Sequence, residues 1–273
     1  MEWKIPLLIT LLLGLIILAV LCVCKTMRSK DKYIPQQNKI FVAVRSYNRP
    51  EYLKETLDSL ANTDLTQISR LWIYDDGSTD KNTRDILKQH PIIDEDITSV
   101  ILNTENKGCD VSYIDLLDAM KDAHKSGEYF CIIDNDVQIA PNAFIYMKKA
   151  YDECRKVFSS KSPVLLSGFY PSNAHKDEIN FNETYITSNK YFKERYCVGA
   201  VCYMFDEVSY PTIYRGWETG LDWGICEILR QNKGHMCVTA RSVVNHIGEI
   251  GLHSKGKGKF DTDDSFDRDL SIL

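Results

Sequence analysis

From Lys39 onward, short apolar runs of strand length alternate with amphipathic stretches of helical period, and no other feature constrains the fold as much. Residues 40–44 (IFVAV) form a buried-strand run. Arg49-Pro50-Glu51 then opens a helix with proline in its first turn, and Leu53, Leu57 and Leu60 recur at helical spacing. Residues 71–74 read as a second strand, after which Gly77-Ser78-Thr79-Asp80 turns and caps a helix from near Lys81. A third strand is expected at 100–102, then a helix over 111–123 with Ile114, Leu117 and Met120 on one face. Residues 129–133 (YFCII) make the fourth strand, and Pro141 opens a helix to about Arg155. Past Ser160 the pattern loosens into strands at 164–169, 197–205 and 236–240 and a helix at about 221–231. This predicts an α/β domain, Rossmann-like, with a mostly parallel sheet flanked by helices. No internal repeat or low-complexity linker interrupts residues 39–254, so they are read as one domain. Ligands of such sheets bind outside the carboxyl ends of the strands, at the switch point of strand order. The chemistry is therefore expected just after strands one, two and four.

A different signal precedes the domain. Residues 5–24 (IPLLITLLLGLIILAVLCVC) carry no charge, and roughly 20 apolar residues suffice for one helical crossing of a bilayer. A cleaved signal peptide would have a shorter apolar region and a small-residue cleavage site, and neither is present before Lys25. Residues 1–25 are accordingly read as a single transmembrane anchor, with residues 26–38 as a polar stem. Lys25, Arg28, Lys30 and Lys32 follow the span, whereas Lys4 and the α-amine precede it. The positive-inside rule then puts the domain in the cytosol. The sequon Asn182-Glu183-Thr184 points the other way, to a type II protein facing the Golgi or ER lumen. The orientation stays open.

Composition excludes several classes. Lys and Arg number 33 against 38 Asp and Glu, a formal charge of −5, without the basic excess of a nucleic-acid binder. Of nine cysteines, Cys22 and Cys24 lie in the apolar segment. The remaining seven are an odd number, form no CxxC pair and sit partly in apolar strands, which fits buried thiols better than disulfides or zinc.

Carboxylates occupy the places where the sheet would hold a ligand. After strand four comes Asp134-Asn135-Asp136. Residues i and i+2 of an extended segment face the same side, so both carboxylates can address one cation and leave positions open for phosphate oxygens. The bland alternative is a solvated turn. After strand two comes Asp75-Asp76-Gly77-Ser78-Thr79-Asp80, which is in part a turn and cap and in part a candidate acceptor of hydrogen bonds from a base or ribose.

With these segments in view, the chain resembles a known family. Ser46-Tyr47-Asn48-Arg49-Pro50, Asp75-Asp76-Gly77-Ser78-Thr79-Asp80, Asn106-Lys107-Gly108 and Asp134-Asn135-Asp136, in that order, are similar to the family-2-type glycosyltransferases of the GT-A fold. RPEYLKETLDSL and IDNDVQIAPNAFIYM also resemble N-acetylglucosaminyltransferase I. The likeness extends from about Ile40 to Ser254. It implies a nucleotide-sugar donor, of which a UDP-sugar is the expected form, and Mn²⁺ or Mg²⁺ on the diphosphate. The implied acceptor is a hydroxyl of a glycan, glycoprotein or glycolipid. Asp75 and Asp76 would contact uridine, with Tyr47, Arg49, Lys107 and Gly108 near the nucleotide. Asp134 and Asp136 would serve ribose, metal and diphosphate, with Asp136 the direct ligand.

An inverting transfer also needs a general base on the acceptor hydroxyl, the role a carboxylate plays toward water in inverting glycosidases. Trp217-Glu218-Thr219-Gly220-Leu221-Asp222-Trp223 resembles the acidic, tryptophan-bearing segment in which such transferases keep that base. Asp222 is the expected base, near the start of its helix and off the face defined by Leu221, Ile225, Ile228 and Leu229, with Glu218 in reserve. A helix-start aspartate favoured by the macrodipole is the plain alternative. The family likeness implies a C-terminal histidine at the metal, His246 first and His253 second. Residues 255–273, with Gly256, Gly258, Lys255, Lys257 and Lys259, read either as a tail or as a lid over the diphosphate. Cys197-Val198-Gly199-Ala200-Val201-Cys202 resembles the small-residue strand that lines the donor sugar, with Gly199 permitting close approach.

Three other readings compete. A haloacid-dehalogenase-like phosphatase also ends a strand in DxD, but Gln138 stands where that family usually has Thr or Val, and about 90 residues of α/β pattern come before it. A nicotinamide oxidoreductase lacks its GxGxxG. A membrane-tethered, non-catalytic glycan- or nucleotide-binding module would keep the fold without turnover.

Overall fold

The computed structural model describes residues 38–169, 188–199, 201–249 and 266, with the side chains of Thr219, Leu221 and Asp222 left aside. All of these fall in one compact unit, residues 37–273. No helix among the described residues is long and apolar enough to cross a membrane. The expected anchor at 5–24, the sequon at Asn182, His253 and the lysine-rich tail lie outside the described residues.

The strands are β1 (Ile40–Ser46), β2 (Ile68–Asp75), β3 (Thr98–Leu102), β4 (Tyr129–Ile133), β5 (Val137–Ile139), β6 (Val164–Ser167), β7 (Phe192–Arg195), β8 (Cys202–Phe205), β9 (His235–Thr239) and β10 (Val244–His246). The helices are α1 (Pro50–Ala61), α2 (Lys81–Gln89), α3 (Cys109–Ala123), α4 (Ala143–Val157) and α5 (Tyr210–Gln231). Eight strands form one sheet in the order β3-β2-β1-β4-β8-β6-β9-β7, and β5 and β10 form a separate ribbon. β3, β2, β1 and β4 run parallel, while β8 and β7 are antiparallel to their neighbours. The expected mixed α/β, mostly parallel sheet is the one found.

The two-residue period of a strand sorts β1 between two cores. Ile40, Val42 and Val44 pack with Leu53, Leu57 and Leu60 of α1, Leu87 of α2 and Phe144 and Met147 of α4. Phe41 and Ala43 face the other way, toward Leu116, Leu117 and Met120 of α3 and Ile213, Ile225 and Leu229 of α5. β4 is buried at all five positions, as its unbroken apolar run requires when helices cover both faces.

Several boundaries moved from expectation. The helix after Pro141 begins at Ala143, with Pro141 ahead of its N-cap Asn142. The apolar run expected as a strand over 197–205 pairs only from Cys202, so Gly199 lies in the approach to β8 rather than in a strand. The helix expected from 221 starts at Tyr210, and it is not straight. Gly220 has φ 132, and a Cβ on Gly216 would meet the Ile225 backbone, with Cα at 2.4 Å. Nine residues of straight helix would separate those positions by roughly 13 Å. α5 therefore folds back on itself at Gly220, and Gly216 provides the clearance. All seven described cysteines are free thiols, five of them buried, as their apolar surroundings predict.

Candidate active site

Strand order reverses at β1, because β2 and β3 lie to one side of it and β4 to the other. The loops leaving β1 and β4 diverge there and open the crevice expected of such a sheet. Its floor is built by three loops.

The β1 loop carries two consecutive residues at positive φ, Asn48 (51°) and Arg49 (61°), a costly conformation outside glycine. Asn48 is held there because its Oδ1 accepts from the Thr79 and Asp80 amides, both at 3.0 Å, while its own N–H donates to Ser78 Oγ at 2.7 Å. The tie fixes the β1 loop to the β2 loop and delivers Arg49 to the N-terminus of α1.

The acidic cluster after β2 is largely a scaffold. Asp75 accepts from the Ser78 amide at 2.8 Å and from Ser78 Oγ at 2.6 Å. Asp76 accepts from Asn103 Nδ2 at 3.0 Å and from the Lys107 and Gly108 amides at 3.1 Å. Asp80 caps α2 through the Thr83 amide. The turn-and-cap reading accounts for most of these bonds. Asp76 also shapes the segment Asn106-Lys107-Gly108, where Gly108 at φ 84 makes the N-cap of α3 and Lys107 Nζ binds Asp115 at 2.6 Å. Tyr47 is half-buried in the β1 loop.

After β4, each aspartate meets an arginine, one near the end of β1 and one in the loop that follows it. Arg45 donates to Asp134 Oδ1 at 3.3 Å, and Arg49 to Asp136 Oδ2 at 2.8 Å. His246 Nε2 lies 3.3 Å from the same Asp136 oxygen. The ribbon makes this convergence possible: Val137 pairs with His246, and the Ile247 amide donates to the Asp136 carbonyl at 2.8 Å. The other edge of β5 is satisfied by α1, through Thr56 Oγ1 and Ser59 Oγ. Gly248 then passes directly over the carboxylate; a Cβ there would sit 2.1 Å from Asp136 Oδ2 and 2.8 Å from Arg49 Nη2.

The two carboxylates differ electrostatically. Burial raises the Asp134 carboxyl to about 6; Arg45 opposes that rise and Asp136 adds to it. At Asp136 burial acts in the same direction, but His246 and Arg49 outweigh it and hold the group below its ordinary value. Arg45 is itself held by Tyr113, its guanidinium 4.3 Å from the ring centroid, and it donates to Cys109 Sγ at 3.0 Å. Tyr113 stacks on Trp217 at 3.5 Å, which connects the Arg45–Asp134 pair to the residues just before the break in α5.

Buried polar atoms without a hydrogen-bond partner gather here. Among the described residues they include Ser46 Oγ, Arg49 Nε and Nη2, Tyr113 Oη and Asp136 Oδ1. Such atoms are rare in folded proteins and mark either strain or a ligand's place.

Of the residues expected at the site, Arg49, Asp134, Asp136 and His246 converge, while Asp75, Asp76, Lys107 and Gly108 form the adjoining β2–β3 side. Glu218 is exposed on α5. Asp222 follows the break in that helix, and its side chain lies outside the description. Gly199 has open space around it. Sequence reasoning missed Arg45, Tyr113 and Gly248. The only trace of the first in the sequence is a lone arginine near the end of an apolar strand, too common a pattern to single it out. Among the described residues no three His, Cys, Asp or Glu side chains already stand as a cation cage; the two aspartates are paired with Arg45 and Arg49. The donor chemistry nevertheless fits a hard divalent cation, since an imidazole and two carboxylates adjoin and one carboxylate oxygen lacks a partner.

A mostly parallel α/β sheet with paired carboxylates at its switch point places them where proteins of this class receive a ligand. Residues 41–210 match Glycosyl transferase family 2, and over that share of its length the chain belongs to this family. No curated protein matches it in sequence. Among solved structures it is similar to GalNAc-T7 crystallised with UDP, GalNAc and Mn²⁺, at 13% identity and TM-score 0.57, covering 81% of this chain and 45% of that one. It is also similar to residues 1–349 of S. aureus TarS, at 17% identity and TM-score 0.52, covering 77% and 61%. A mannosyltransferase of Pyrobaculum calidifontis, PcManGT, solved with GDP-Man and Mn²⁺, aligns at 20% identity over 49% of this chain and 36% of that one, with TM-score 0.36. The chain spans between 36% and 61% of the length of these proteins.

Proposed function

We propose that this domain is a metal-dependent, inverting glycosyltransferase that moves a sugar from a nucleotide-sugar, in the first instance a UDP-sugar, to a hydroxyl of a glycan, glycoprotein or glycolipid. The observation that carries the reading is the cluster of unpartnered polar atoms between β1 and β4, in a chain of glycosyl transferase family 2. In that cluster Asp134, Asp136 and His246 would hold Mn²⁺ or Mg²⁺. The cation would offset charge that develops on the leaving diphosphate. Tyr47, Asp75, Asp76, Lys107 and Gly108 would form the uridine side, and Gly199 the sugar side. Asp222, with Glu218 in reserve, would take the acceptor proton. The likeness of residues 49–60 and 133–147 to N-acetylglucosaminyltransferase I supports a hexose or N-acetylhexosamine donor. Ties to GalNAc-T7, whose structure holds UDP and Mn²⁺, support the same nucleotide and metal. The apolar segment 5–24 would tether the domain to a membrane as a single span, with either the cytosol or the Golgi/ER lumen as its side.

The test is calorimetric titration of the full chain with UDP, with and without Mn²⁺, followed by UDP release from a panel of UDP-sugars. Manganese-dependent binding and turnover with one sugar are expected. In Asp222→Asn, UDP binding should persist while transfer falls by at least about a hundredfold, the lower end of a general base's contribution. A folded chain that binds no UDP under either condition would overturn the reading, and unchanged transfer in Asp222→Asn would reassign the base.

A further inference from the structure

Two ion pairs stand at the switch point. Arg45 lies near the end of β1, Arg49 caps α1, Asp134 and Asp136 follow β4, and each arginine holds one aspartate, at 3.3 and 2.8 Å. The formal charge of the four groups is zero. A divalent cation arriving alone must displace two guanidinium groups into a partly buried crevice. A diphosphate arriving alone must displace two carboxylates. Each displacement strands charges that burial makes expensive to leave unpaired.

Arg49 is only partly used in this arrangement. One nitrogen donates to Asp136, while its Nε and Nη2 are buried without a partner. Its aliphatic approach is fixed by the positive-φ backbone, and its guanidinium lies 4.4 Å from the Tyr52 ring centroid. Arg45 is likewise pre-set on Tyr113. Two guanidinium groups at one crevice, each holding its aspartate through a single nitrogen and one with idle N–H donors, have donors left over for a diphosphate, whose oxygens accept the planar fork bidentately.

We propose that Arg45 and Arg49 are the diphosphate-binding groups of the site, and that they release Asp134 and Asp136 to the cation in the same event. Nucleotide and cation then bind as a coupled pair, each removing the ion pairs that oppose the other. This rests on the donor-site reading above and adds an assignment for Arg45, together with a sign for the coupling. By linkage, the factor by which UDP tightens Mn²⁺ equals the factor by which Mn²⁺ tightens UDP.

The experiment measures Mn²⁺ affinity of the full chain by electron paramagnetic resonance of free Mn²⁺, with and without saturating UDP, in the wild type, Arg49→Met and Arg45→Met. In the wild type UDP should tighten Mn²⁺ by at least about tenfold, in the lower part of the common range of coupling free energies. In Arg49→Met, Asp136 is relieved of its guanidinium, so Mn²⁺ alone should bind more tightly and the UDP effect should shrink severalfold. Arg45→Met should act in the same direction at Asp134, whose side chain is 31% exposed and so better able to lose its partner if Arg49→Met fails to fold. Wild-type Mn²⁺ affinity indifferent to UDP, or coupling unchanged in the folded variants, would overturn the exchange while leaving UDP binding intact. If UDP binds in no combination, the donor-site reading falls and takes this inference with it.

Discussion

Two glycines separate geometric necessity from composition. Gly248 runs against the Asp136 carboxylate, so Gly248→Ala must push either that carboxylate or Arg49 aside. Mn²⁺-dependent UDP binding should weaken by at least about tenfold, or 1.4 kcal/mol. The urea midpoint should move little, since the crevice rim can shift without opening the core. Gly199 is the contrast, with nothing within 4 Å of an added Cβ and no positive φ. Gly199→Ala should stay within about 0.5 kcal/mol in urea unfolding. A loss of transfer with stability retained would then support its place beside the donor sugar. At this scale the placing of Asp134 and Asp136 after β4 was legible, because DxD after a strand buried on both faces is an unusual placement, whereas His246 was named through the family likeness. Arg45 was not, since a charged residue ending a strand is ordinary until its partner is known. Nor was Gly248, whose need for glycine arises from a carboxylate 112 positions earlier in the chain.

Elements were legible where burial imposes a long pattern. β1 and β4 are covered on both faces and announce themselves by continuous apolar runs, and α1 by leucines at helical spacing. β5 and β10 have three residues each, too few for any period, and their pairing exists only because the tertiary fold brings 137 and 246 together. The break in α5 was hidden because a glycine disfavours helix wherever it stands, while the contact of Gly216 with Ile225 exists only in the folded chain. Gly216→Ala should therefore cost about 1–3 kcal/mol in urea unfolding, the usual penalty for overpacking. It should also disturb transfer more than UDP binding, because the displaced segment carries Glu218 and Asp222. A second element-level tie is Arg70, near the start of β2, which bonds Glu128 before β4 and the Ala123 carbonyl ending α3. Burial opposes ionisation of Glu128, but the Lys125 amide, Ser69 and Arg70 prevail and hold its carboxyl below 4.5. Because the folded state binds that proton less readily than the unfolded one, the stabilisation is complete above about pH 4.5 and is lost as pH falls through the folded-state value. Glu128→Gln should be less stable by about 2 kcal/mol at pH 7, and in melting curves taken down to pH 3 the difference from wild type should close.

Across the whole molecule, the site sits on the seam of the sheet. β3, β2 and β1 lie on one side of it and β4, β8, β6, β9 and β7 on the other, joined through the single β1–β4 pairing. The two apolar cores run along opposite faces of the same sheet and both include residues of β1 and β4. Separating the two sides of the sheet therefore requires loss of the central pairing, and with it both cores, so the sheet and the crevice it carries should melt together. A ligand that binds only the closed crevice then stabilises the entire unit. At a hundred times its dissociation constant it contributes about 2.7 kcal/mol, which for a domain of this size is a rise in melting temperature of about 5–10 °C. UDP with Mn²⁺ should produce that shift as a single displaced transition in scanning calorimetry, and each alone should give clearly less, because each alone leaves the two arginine–aspartate pairs opposing it. Two transitions, with only one displaced, would mean that the halves of the sheet unfold separately and that the seam does not carry the stability assigned to it.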